Sequence, residues 1–165
     1  MNRKFPISLQ HDAMLCGIAC LQMVCDFYGK NYTSKHLSKL CSVTTEGVSL
    51  FSIDETAKIL GFHTLCARIE TNILLKVSSP CILHWNQNHF VVLYKVSKGK
   101  KFYVADPGKG LVKYNLEEFK SHWISTKSDG EEKGIAMFLE PTPAFYTHKE
   151  DGEGEKNKNP RSFRF

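Results

Sequence analysis

The 165-residue chain lacks most of the features that announce a protein's class. Its longest apolar runs, such as FVVLY at 90–94, fall far short of the roughly 20 residues needed to span a bilayer. The opening MNRKFPIS carries two basic residues but no apolar core of the signal-peptide kind. No block of five like charges occurs and the formal net charge is only +5, which argues against nucleic-acid binding. There is no glycine-rich phosphate loop ending in Lys-Ser or Lys-Thr, so ATP hydrolysis is not expected of this segment. Cys-x2-Cys pairs are missing too. Cys16 and Cys20 share a helix face, but no second pair stands by to close a zinc site, and neither metal nor cofactor is expected. No internal repeat is present.

What the chain does have is apolar content of 42% and aromatic content of 12%, enough for one domain with a substantial core. Its six cysteines (16, 20, 25, 41, 66 and 81) fall at irregular spacing, mostly inside apolar, periodic segments. A domain of this size needs no disulfide staples, and the expectation is reduced, cytosolic thiols.

The first third reads as helical. Ile18, Leu21, Val24, Cys25 and Tyr28 recur at helical spacing from Cys16 onward, with Gly29 as the stop. Thr33 or Ser34 opens a short helix that turns Leu37, Leu40 and Cys41 inward. Ser49 opens a third with Leu50, Ile53, Ala57 and Leu60 on one face, stopped by Gly61. After Gly61, FHTLCARI, CILHW, HFVVLYKV, KFYVA and GLVKY read as strands, separated by turn chemistry such as NQN, SKGK and DPGK. TNILLKV reads as a short helical turn. Asn115 with Glu118 three residues on forms a capping-box start, and GIAMFLE closes as a strand. The expected class is α+β: an N-terminal helical half packed on a C-terminal antiparallel sheet. Beyond Pro141 the composition turns charged and glycine-rich, as in EDGEGEKNKNP. Residues 1–140 are therefore expected to form the domain, and 141–165 a flexible linker to further chain.

Four residues could carry chemistry. Cys16 stands where a helix begins, where unpaired N–H groups and the macrodipole favour a thiolate; on position alone it is equally a packing residue. Cys20 and Cys25 lie deeper in the same helix and suit the core better. His89 sits at the junction of a polar turn and an apolar strand; its rival His84 reads more simply as a half-buried strand histidine beside Trp85. Asp106 ends the strand after His89 and could orient the imidazole, although Asp-Pro-Gly is also ordinary turn chemistry. Gln10 could offer its amide to an oxyanion beside the Cys16 N–H. The remaining histidines, 11, 36, 63, 122 and 148, read as surface or helix residues without a partner. Amide, cysteine at a helix start, histidine at a strand start and acid at a strand end, in that order, make a papain-type arrangement.

Over roughly Ile7 to Leu139, through CGIACLQMV, SLFSIDETAKILGF, PCILHW…NHFVVLYKV and YVADPGKGLVKYNLEEFKSHW, the chain resembles a known family. This is the bacteriocin-processing cysteine peptidase domain at the N-terminus of peptidase-containing ABC transporters. The resemblance implies a papain-like fold, with Cys16 as nucleophile, His89 as base and then acid, Asp106 as orienter and Gln10 as oxyanion donor. It implies cleavage of a precursor's leader peptide after a double-glycine motif, at the cytoplasmic side of the membrane. The partners it implies are that leader and the transmembrane and ATPase domains of the same transporter. Glycines suit a cleft too narrow for any Cβ, and an amphipathic leader helix would dock in a groove for which Phe51 and Trp85 are candidates. One position departs from the family: Leu15 stands where an Asp usually precedes the cysteine. The alternatives are a catalytically impaired leader-binding module and another papain-type hydrolase or acyltransferase.

Overall fold

The computed structural model describes residues 4–10, 15–41, 47–98 and 100–148. Three helices come first: α1 (Cys16–Phe27), α2 (Ser34–Leu40) and α3 (Leu50–Leu60). Their ends follow local chemistry. The side chains of Thr33 and Ser49 accept from the N–H groups of His36 and Ser52, each supplying an acceptor to an orphan donor of the first turn. Gly29 and Gly61, at φ 96° and 104°, take the left-handed conformation that stops α1 and α3 at little steric cost.

The remaining chain lays down strands β1 (Phe62–Glu70), β2 (Cys81–Trp85), β3 (His89–Val96), β4 (Phe102–Asp106), β5 (Gly110–Tyr114), β6 (Thr126–Ser128) and β7 (Glu131–Pro141). They form one antiparallel sheet in the order β1-β7-β2-β3-β4-β5, with β6 also paired to β7. Three further helices are interspersed: α4 (Thr71–Leu74), α5 (Leu116–Trp123) and α6 (Pro143–Thr147). Asn115 and Glu118 close the expected capping box at the head of α5.

The sheet is covered on both faces. Ile18, Leu21, Ile53 and Leu60 from α1 and α3 pack with Ile82, Val92 and Met137. Phe119 and Trp123 of α5 pack with Leu83, Trp85, Val91 and Val104. The sequence pointed to one helical half against one sheet half; in the structure α5 gives the sheet a second core, because alternate residues of β2, β3 and β4 are apolar on both sides.

Three expectations need correction. The linker does not begin at 141: Pro141 ends β7, and α6 follows at once. Phe145 is fully buried, 4.6 Å from the Phe62 ring, and its backbone lies directly against the bare Cα of Gly61. The N–H and hydroxyl of Thr142 both donate to the Gly61 carbonyl, and Lys30 Nζ donates to the His148 carbonyl. Packed chain thus extends to His148, while 149–165 lie outside the described residues. Trp85 is no groove residue; it is 1% exposed under α5, whereas Phe51 is 72% exposed. Nor do His36 and His122 lack partners: His36 is buried and stacked on Tyr32, and His122 stacks on Trp85. His11 lies outside the described residues.

Candidate active site

Three elements meet at one end of the sheet. Cys16 opens α1, His89 opens β3 and Asp106 closes β4, and α1 packs across β3. The turn that delivers His89 is strained, with Asn86 and Gln87 both left-handed at φ 50° and 68°. It is held from α5: the Asn86 N–H donates to the His122 carbonyl at 2.9 Å, and Asn86 Oδ1 lies 2.9 Å from His122 Nδ1. Sequence reading missed this clamp, whose halves lie 36 residues apart with no local signal joining them.

Asp106 is 2% exposed. Its Oδ1 accepts from the Gly108 N–H at 2.8 Å and meets His89 Nε2 at 2.7 Å. Turn residue and imidazole partner, posed as alternatives by the sequence, are the same carboxylate. Burial by itself would raise its pKa; the His89 and Gly108 hydrogen bonds and the neighbouring positive charge outweigh burial and hold it below the ordinary carboxylate value.

Burial works to lower the pKa of His89, but hydrogen bonds to Asp106 and to Cys16, with the charges behind them, overcome it and lift the imidazole from 6.5 to about 9. With Nε2 committed to Asp106, Nδ1 is the ring nitrogen left for the sulfur. An imidazolium at neutral pH is thus aimed at Cys16.

Cys16 is 3% exposed. The N-cap residue of α1 is Leu15, which offers no side-chain acceptor, and no acid sits in the first turn. The leading N–H groups of this 12-residue helix therefore have no acceptor from the cap side chain, the arrangement that suits an anion there. Gly17 follows because α3 and β3 press in: a Cβ there would stand 2.6 Å from Ile53 Cδ1 and 3.4 Å from Phe90.

The other five thiols are poorly placed for nucleophilic work. Burial pushes Cys20 well up, with the charges at Cys16 and Asp106 adding to it. Burial likewise raises Cys25 and Cys41, and brings Cys81 to about 12. Cys66 is exposed, yet desolvation and then Asp54 raise it to about 11. Of the rival histidines, His84 packs its ring 5.3 Å from Phe90. Gln10 is half-buried and its backbone N–H donates to the Pro107 carbonyl at 2.7 Å, tying the segment before α1 to the residue after Asp106.

The family model for the peptidase C39 family matches residues 4–127. Among curated proteins, a colicin V secretion/processing ATP-binding protein of Escherichia coli is 34% identical over 144 residues, covering 87% of this chain and 19% of that protein. A lactococcin-G-processing and transport ATP-binding protein of Lactococcus lactis subsp. lactis is 33% identical, covering 82% and 19%. The chain thus spans about a fifth of the length of these relatives. Among solved structures, a double glycine motif protease from an AMS/PCAT transporter, in complex with the leader peptide, is 36% identical with a TM-score of 0.71, covering 84% of this chain and 93% of that one. The peptidase domain of Streptococcus ComA, a bi-functional ABC transporter, is 27% identical with a TM-score of 0.72, covering 84% and 100%.

Proposed function

This chain belongs to the peptidase C39 family, and from that membership we propose that it removes the leader peptide of an exported precursor, cutting after a Gly-Gly motif. The observation that carries the site assignment is the His89–Asp106 contact of 2.7 Å, with Cys16 adding to the forces that keep the imidazole charged.

In the proposed mechanism the Cys16 thiolate adds to the carbonyl carbon of the second glycine. The Cys16 N–H and the Gln10 amide receive the developing oxyanion. His89 then gives its proton to the departing amine as the C–N bond breaks, leaving a thioester on Cys16. Water, deprotonated by His89, hydrolyses the thioester and restores the thiol. Asp106 keeps the ring oriented throughout and stabilises its charged form whenever it holds the proton. No metal or cofactor is called on. Leu15 is compatible with this scheme, since an acid in its place would draw on the same N–H groups and set a negative charge beside the thiolate.

The names of the relatives, which join processing to secretion or transport and ATP binding, support a place beside the other domains of a transporter; we propose that those are transmembrane and ATPase domains and that the leader is met on the cytoplasmic side. No helix among the described residues is long and apolar enough to cross a membrane. The test is steady-state kinetics on a synthetic leader with each glycine changed in turn to alanine. A methyl crowding a closed channel is expected to lower kcat/KM at least tenfold, the combined effect of overpacking and lost attack geometry. Cys16→Ala should bind the leader but not cut it. Equal turnover of Ala and Gly substrates would leave a cysteine peptidase without double-glycine specificity, and wild-type turnover by Cys16→Ala would remove the mechanism.

A further inference from the structure

The charge of this chain is unevenly spread. Between Tyr94 and Tyr114 stand Lys95, Lys98, Lys100, Lys101, Lys109 and Lys113 against a single acid, Asp106, which is already tied to His89. Two of these lysines are organised. Strand register places Lys95 opposite Tyr103 and Tyr103 opposite Lys113, making one straight row across β3, β4 and β5. Both ammonium groups converge on the same ring, at 5.1 Å and 5.5 Å from its centroid. Both side chains are exposed, and among the described residues no carboxylate pairs with either. Two like charges gathered at one aromatic ring, with no counter-ion among the described residues, favour an incoming anion.

Position narrows its identity. Asp106 lies three residues along β4 from Tyr103, so the row stands ~10 Å from the catalytic end of the sheet. Among the described residues β5 is an edge strand of the sheet, paired on one side only, to β4. Leu111, 37% exposed, and Lys113 project from it on the face away from α5, while Val112 and Tyr114 pack toward α5. An extended peptide leaving the Cys16 cleft could pair with this edge and carry its side chains over the row.

We propose that the Lys95–Tyr103–Lys113 row and the free edge of β5 form a subsite for an extended acidic stretch of the precursor peptide, about three residues from the scissile bond. The subsite rests on the leader-peptidase reading above and adds the charge of the substrate to it. The two lysines act on binding alone, far from the reacting atoms, so their contribution belongs in KM and fades as salt screens it.

The test uses three synthetic precursors that share an apolar leader helix and a Gly-Gly site. One is neutral at the third and fourth residues on both sides, one carries Glu-Glu there on the leader side, and one carries it on the cargo side. With the wild-type chain, one Glu peptide should show a KM lower than the neutral peptide by about threefold to tenfold, at similar kcat. That advantage should vanish in Lys95→Gln/Lys113→Gln and at about 0.5 M salt, while the neutral peptide is cut by the double variant as by the wild type. Dissociation constants of the same labelled peptides for Cys16→Ala, read by fluorescence anisotropy, report on the subsite even if no peptide is cleaved, which separates failure of this inference from failure of the peptidase reading. Equal affinities for all three peptides would overturn the subsite, as would a preference that survives in the double variant. Binding to anionic vesicles that the double variant loses, with peptide affinities unchanged, would reassign the row to a membrane surface and equally overturn it.

Discussion

Replacing Asp106 by asparagine keeps the shape of the residue and removes its charge, so it isolates what the carboxylate does for His89. The lift of His89 from 6.5 to about 9 corresponds to roughly 3 kcal/mol in favour of the imidazolium. Burial opposes that lift, and the Asp106 hydrogen bond is the first of the contributions that produce it. Losing an adjacent opposite charge should bring the imidazole down by about 1–2 pH units. In the proposed mechanism the reactive form carries the imidazolium, so the alkaline limb of the kcat/KM profile should report loss of the His89 proton. If that limb falls from about 9 to ~7.5, the imidazolium fraction at pH 8.5 drops about eightfold, while at pH 6 both enzymes remain protonated. The assay is kcat/KM for a Gly-Gly peptide from pH 5 to 10. Asp106→Asn should therefore lose far more of its activity at pH 8.5 than at pH 6. A profile lowered uniformly, with its alkaline limb unmoved, would refute the idea that Asp106 sets the protonation of His89.

Stability should carry the same signature. The raised His89 contributes fully below pH 6.5 and loses its contribution as pH rises through about 9, and the depressed Asp106 contributes above about pH 3.8 and loses its share as pH falls below that, both readable from thermal unfolding against pH. His89→Ala should cut turnover by about 10²–10⁴-fold while His84→Ala, which alters only packing on Phe90, stays within a few-fold; the reverse order would exchange their roles. Gly61→Ala should destabilise by at least ~1 kcal/mol in denaturant titration, since its φ of 104° and the Phe145 backbone both exclude a Cβ; an unchanged midpoint would contradict that packing. Trp85→Ala should cost roughly 3–5 kcal/mol in the same titration, as expected of a core tryptophan; a loss below 1 kcal/mol would return Trp85 to the surface.

Helix boundaries were legible because their causes are local. Thr33, Ser49 and the Asn115–Glu118 box each satisfy donors within three residues, and Gly29 and Gly61 stop helices by their own backbone freedom. What escaped reading is set by partners distant in sequence. PAFYT holds α6 only because Phe145 finds the gap over Gly61, 84 positions earlier in the chain. Three residues of β6 are a strand only because β7 turns back alongside them. At the site, the turn before His89 and the strand before Asp106 marked the histidine and acid that the structure brings to 2.7 Å of each other. The His122–Asn86 clamp behind them is a tertiary contact that no local pattern announces.

The central claim is that His89 and the head of α1 make Cys16 the reactive thiol of the six. Limited alkylation with iodoacetamide at pH 7, with the modified cysteines mapped by mass spectrometry and activity followed in parallel, tests it most directly. Cys16 should label first despite being 3% exposed, ahead of exposed Cys66, and peptidase activity should fall in step; in His89→Ala that preference should disappear. Labelling of Cys66 first, with activity intact and Cys16 no faster than Cys41, would contradict the account.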